Sequence, residues 1–135
     1  QRFEVLYICG NYSRVLSSLD RRFTTLQVRR AFTVFQLMTV LEESCHSLLI
    51  IEHDPLLYQD AEEMAEYVSQ AMRAAAGRST VLLYSPASDP SLQVMAEYAD
   101  RVFYFGRGPE AAPRPSAKSC RKAQAQCGQS TLEAF

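Results

Sequence analysis

Two hydrophobic rhythms alternate along the chain. Leu48-Leu49-Ile50-Ile51 is the densest apolar run, and Glu52-His53-Asp54-Pro55 closes it abruptly. Four consecutive large aliphatics, partly β-branched and too few for a helix, predict a strand buried on both faces. Phe3–Cys9, Thr80–Ser85 and Arg101–Phe105 read as further apolar strands, whereas Leu26–Ala31 is strand-like but charged, as expected at a sheet edge. Between them the period lengthens to that of helices. A short one carries Val15, Leu16 and Leu19. A second opens on Thr33 and Gln36 as a capping box and repeats Val34, Leu37, Met38 and Leu41. A third is expected from Asp60, with Ala61, Met64, Ala65, Val68 and Met72 inward and Gly77 at C′. A fourth starts at Asp89-Pro90 and repeats Leu92, Met95, Ala96 and Ala99.

Strand and helix alternating five times predict an α/β fold of three layers, a doubly wound five-stranded parallel sheet with helices on both faces. The body is expected over residues 1–105. Residues 106–128, with three prolines and no large apolar side chain before Lys118, read as a flexible basic linker, and residues 129–135 as a terminal motif.

Composition changes this picture little. A chain of 135 residues, 47% hydrophobic with a net charge of −1, fits one soluble domain plus a tail. No apolar run reaches membrane-spanning length, and a first residue other than Met reads as a trimmed start. Cys9 and Cys45 lie in apolar stretches, and Cys120 and Cys127 have no zinc spacing, which suits a reduced intracellular protein. Charge is segregated: residues 106–135 hold five basic and two acidic side chains, a net of +3, so the remainder carries −4. A basic tail on an acidic body implies a partner for the tail.

The elements, taken together, resemble the ATPase core of the archaeal RadA/RecA recombinase superfamily over roughly residues 3–105. Val5-Leu6-Tyr7-Ile8 resembles the strand after the P-loop helix, and Arg30-Ala31-Phe32-Thr33 with Gln36-Leu37 and Leu41-Glu42-Glu43 resembles the next strand and helix. Leu48–Glu52 is similar to the Walker B strand, Val81–Ser85 to the sensor strand and Ala99–Tyr104 to a later hydrophobic strand. The sequence departs from the family where its chemistry lies. No G-x-x-x-x-G-K-[ST] occurs, so neither the phosphate-cradling backbone nor its lysine is present. By the resemblance Glu52 stands for the Walker B aspartate, Asn11 for the catalytic glutamate and Pro86 for the sensor glutamine. With Asp54 these form a degenerate nucleotide site, which implies a pseudo-ATPase with no catalytic residue, no metal and no cofactor. If the last strand closes the gap left by the P-loop strand, the sheet order becomes 2-1-3-4-5.

The same strand ends offer other chemistry. Glu52, Asp54 and Asp60 offer hard oxygen donors for Mg²⁺. Glu52-His53-Asp54 resembles the D-x-D of Toprim nucleases, but those need a glutamate where Cys9-Gly10-Asn11 stands. A receiver domain needs an acidic pair there and a lysine after the last strand, and no lysine precedes Lys118. The reading taken is that Glu52 and Asp54 are solvated or pair with a helix N-terminus. His46 and His53 receive no catalytic role. Arg14, Arg21, Arg22, Arg29 and Arg30 cluster in sequence, the last four being candidate phosphate contacts, against a plainer role as a charged edge that resists aggregation.

The tail carries the most specific signal. Gln129-Ser130-Thr131-Leu132-Glu133-Ala134-Phe135 resembles the PIP box, Q-x-x-(aliphatic)-x-x-(aromatic), with which replication and repair proteins hold the PCNA sliding clamp. One 3₁₀ turn holds about three residues, so Leu132 and Phe135 would project together as an apolar plug while Gln129 and Thr131 flank it. A single terminal aromatic, where many such motifs carry two, implies weaker binding. The expectation is therefore a non-catalytic archaeal replication or repair accessory protein, cytoplasmic and nucleoid-associated. It would be tethered to PCNA by its tail, hold a further replication or recombination protein through its body, and reach DNA indirectly. The alternative is a Mg/nucleotide-binding ATPase or recombination mediator completed by an N-terminal P-loop or by a partner.

Overall fold

The computed structural model describes residues 2–19 and 22–106, the Arg14 side chain aside. The tail motif and most of the basic linker lie outside the described residues. Four strands, β1 (Val5–Cys9), β2 (Leu26–Arg30), β3 (Leu48–Glu52) and β4 (Thr80–Tyr84), form one parallel sheet in the order β2-β1-β3-β4. The helices are α1 (Arg14–Ser18), α2 (Val34–Glu43), α3 (Met64–Ala76) and α4 (Pro90–Tyr98). The α/β class, the parallel sheet and the order of its first four strands agree with the sequence reading.

Register divides the side chains between two faces. Leu6, Ile8, Leu49, Ile51, Val81 and Leu83 share one face, on which α2, α3 and α4 pack to build the core with Val34, Leu37, Leu41, Val68, Met72 and Met95. Leu41, Leu49, Ala65 and Val68 are wholly buried. The other face carries Val28, Tyr7, Ile50 and Leu82 in line, with Tyr84 beside Glu52 in the next row. There α1, five residues long, is capped by Ser13, which meets Tyr7 and Glu52. Tyr7 and Cys9 are buried beneath this corner, but Val28, Leu82 and Tyr84 are exposed. The second layer of helices is thus a single short one among the described residues, where cover on both faces was expected.

Four further expectations are corrected. The sheet has four strands rather than five: residues 101–105 join no ladder, and β4 is its edge. Apolar, aromatic composition supplies strand propensity there, but a strand exists only through the backbone bonds of a neighbour, and Phe103 and Phe105 are exposed. The third helix begins at Met64, not at Asp60. Pro55 instead nucleates a 3₁₀ turn, Pro55–Tyr58, capped by Asp54, which accepts from the Leu56 N–H at 3.0 Å. Gly77 ends α3 with φ −68°, in helical rather than left-handed conformation. The capping box of α2 forms in altered register. Thr33 accepts from the Gln36 N–H as predicted, while the Gln36 amide oxygen reaches the N–H of Phe32 instead of Thr33.

The amino-terminal edge of the sheet is held by polar staples. Arg78 donates to the carbonyls of Leu41 at 2.6 Å and Ser44 at 3.2 Å, placing a cation on the carbonyl end of α2. His46 bridges Ser44 and Gln27, at 3.1 and 2.9 Å. That accounts structurally for a histidine the sequence left without a role.

Candidate functional site at the carboxyl edge of the sheet

In the order β2-β1-β3-β4 the winding of successive strands reverses between β1 and β3, with α1 and α2 on opposite faces. This is the switch point at whose strand ends α/β folds place ligands. The sequence-selected residues converge there: Asn11 follows β1, Glu52 and Asp54 end β3, and Pro86 follows β4. All four therefore share one edge of the sheet.

The two carboxylates among them, however, are engaged by the protein itself. Glu52 Oε2 accepts from Tyr7 Oη and Ser13 Oγ, both at 2.5 Å. Burial, followed by that bond to Glu52, pushes the Tyr7 phenol far up, so it remains a donor at any ordinary pH. Asp54 caps the 3₁₀ turn and lies against Gly10, where a Cβ would stand 2.5 Å from Asp54 Oδ2. Arg30 reaches across from the end of β2 and donates to the carbonyls of Gly10 at 3.3 Å and Asn11 at 3.0 Å. The β1–α1 loop is thus tied down by Arg30, Asp54 and Glu52 from three sides. Burial also pushes the Cys9 thiol up, with Arg30 partly opposing, so this sulfur is a packing group rather than a nucleophile.

Gly10→Ala should therefore cost stability. Its new methyl would displace the Asp54 carboxylate, and overpacking of this kind costs ~1–3 kcal/mol. The urea midpoint should fall, and it should fall less when the same change is made in an Asp54→Ala background.

No three His, Cys, Asp or Glu side chains converge as a metal cage among the described residues. Glu52 and Asp54 point into separate hydrogen-bond sets, and Asp60 lies beyond the 3₁₀ turn. The enclosed cavity beneath them, lined by Ile51, His53, Tyr58 and Met95 among others, is about 10 Å³, barely room for one water. Arg29 and Arg30 alternate to opposite faces of β2, Arg30 is committed to the loop, Arg22 is exposed and already engaged, and Arg21 lies outside the described residues.

A different constellation emerges beside the predicted one. His53, buried at the end of β3, bonds Asp89 through Nε2 at 2.7 Å and stacks on Tyr58 with ring centroids 5.6 Å apart. Ser91 approaches the same nitrogen at 3.4 Å and donates to Asp89. Asp89 is the cap of α4, as the sequence predicted, accepting from the Leu92 N–H at 3.0 Å. Its tie to a histidine 36 residues away carried no sequence signal. Both acceptor and hydroxyl share His53 Nε2, so Ser91 has no free base to activate it, and the cluster locks α4 to the sheet.

Burial alone would raise the Asp89 carboxyl, but the bonds from Ser91, the Leu92 N–H and His53 outweigh it and hold it below its ordinary value. A depressed folded pKa stabilises fully above the unfolded value, near 3.8 here, and that contribution disappears as pH falls through the lower folded value. The stability gap between the native chain and Asp89→Asn should stay level from pH 7 to 5 and narrow below about pH 4 in urea titrations.

Comparison with known proteins adds one relative and no family. No family model matches the chain. An uncharacterized protein of Archaeoglobus fulgidus is 33% identical over 101 residues, covering 74% of this chain and 52% of the relative. The chain spans about half the length of that archaeal protein. No helix among the described residues is long and apolar enough to cross a membrane.

Proposed function

We propose that the chain is a non-catalytic, clamp-tethered adaptor. Residues 129–135 would hold the PCNA sliding clamp, and the α/β body would present a replication or recombination partner to it. The observation that carries this reading is the pattern Gln129, Leu132, Phe135 behind a basic segment. Supporting it, Glu52 and Asp54 at the carboxyl edge are engaged in holding loops. Tethering would raise the body's local concentration near its target without any new contact. The test is titration of the full chain and its Leu132→Ala/Phe135→Ala variant against an archaeal clamp. Equal binding by both, or none by either, overturns it.

The second reading, a Mg/nucleotide-binding ATPase or mediator completed by further sequence or a partner, is favoured by one specific feature. β4 ends the sheet with Thr-Val-Leu-Leu-Tyr, lacking any charge or proline to protect an edge. Leu82 and Tyr84 are exposed, as is much of the strand-like segment 101–105. An added strand at β4 would cover both. Thermal stabilisation of the chain by Mg-ATP would support this reading, and its absence in a complex that hydrolyses no ATP would remove it.

A further inference from the structure

Charge along the fold is polarised beyond the body-versus-tail contrast. Residues 31–72, which include all of α2, β3 and most of α3, contain eight carboxylates and neither lysine nor arginine. The outer stripe of α2 and the start of α3 border an open groove of about 480 Å³, lined by Phe35, Met38, Thr39, Glu42, Met64 and Tyr67, with the Arg78 guanidinium against the carbonyl end of α2. Phe35 is 70% and Tyr67 54% exposed. Both methionines are half-buried with one side in the groove. Polarizable thioethers flanked by exposed aromatics, with the Glu42 carboxylate on the rim, form a surface suited to a short segment with apolar anchors and a basic flank.

We propose that this groove is occupied by the chain's own carboxyl-terminal segment, with Leu132 and Phe135 seated between α2 and α3. Residues 107–135 carry the complementary charge, five basic against two acidic side chains, and Leu132 and Phe135 are the only large aliphatic or aromatic side chains in that segment. The reach is ample: residues 107–128 can span up to about 75 Å, against a radius of gyration of about 13 Å for a 100-residue domain. The contact would be autoinhibitory toward any external host for the same two side chains. It stands without the clamp reading, because its test contains no clamp.

The test compares backbone amide spectra of the ¹⁵N-labelled full chain and its Leu132→Ala/Phe135→Ala variant. Shift differences are expected at Phe35, Met38, Met64 and Tyr67, at every protein concentration, and they should shrink toward zero in ~1 M salt, where the screening length is about 3 Å. Glu42→Lys and Tyr67→Ala, both on the exposed rim, should each abolish most of them while leaving the thermal midpoint near native. Differences elsewhere on the body, or none, overturn the proposal. So do differences that grow with concentration, since a second copy would then supply the segment. If the clamp also binds, Glu42→Lys should tighten that binding; unchanged affinity together with intact amide shifts would leave the groove contact standing and remove its autoinhibitory role.

Discussion

His53→Ala is expected to lose ~2–4 kcal/mol of folding stability, read from urea unfolding at neutral pH. The His53 side chain is only 1% exposed, so its removal leaves a cavity among Ile51, Tyr58 and Met95 that the packed core cannot fully close. The stack on Tyr58 is lost as well, worth ~0.5–1.5 kcal/mol beyond its area. The bond to Asp89 contributes less than its 2.7 Å length suggests. Asp89 would keep Ser91 and the Leu92 N–H as donors and is 19% exposed to water. His53→Leu should therefore recover about half of the loss, because it restores volume without the bond. Equal losses for Ala and Leu would instead assign the stabilisation to the hydrogen bond. Amide exchange should localise the damage: α4 should lose protection while β1 and α2 keep theirs, because His53–Asp89 is what ties the start of α4 to the sheet.

That pair marks where sequence reasoning stopped. Patterns that depend on one segment were legible. The aliphatic run at β3, the Thr33 and Asp89 caps, and the inward stripe of Leu37 and Leu41 are consequences of local periodicity and local hydrogen bonding. The strand order was legible too, because handedness leaves few ways to wind β-α units. The fifth strand was not, since 101–105 has the composition of a strand and lacks the ladder that makes one. Asn11, Glu52, Asp54 and Pro86 fall at strand ends along one edge of the sheet, a placement that follows from topology. Sequence reasoning did not foresee that Tyr7, Ser13, Gly10 and Arg30 would engage those groups. Each of those contacts joins residues on different elements.

The largest binding effect is expected at the chain terminus. Leu132→Ala/Phe135→Ala should weaken clamp binding at least about 30-fold, and more if each side chain contributes the ~2 kcal/mol of a buried anchor independently. Gln129→Ala should cost only ~1 kcal/mol, as a rim hydrogen bond exchanged for water. The five basic residues of 107–122 should act differently. Neutralising them should slow association and flatten its salt dependence while leaving dissociation almost unchanged, because charges outside the apolar contact steer encounter more than they hold a complex. Surface plasmon resonance with immobilised clamp separates these signatures. Loss through a faster off-rate for the double variant, and through a slower on-rate for the neutralised linker, is the pattern an apolar plug on a basic leader requires. An off-rate indifferent to Leu132 and Phe135 would show that some other part of the chain makes the contact.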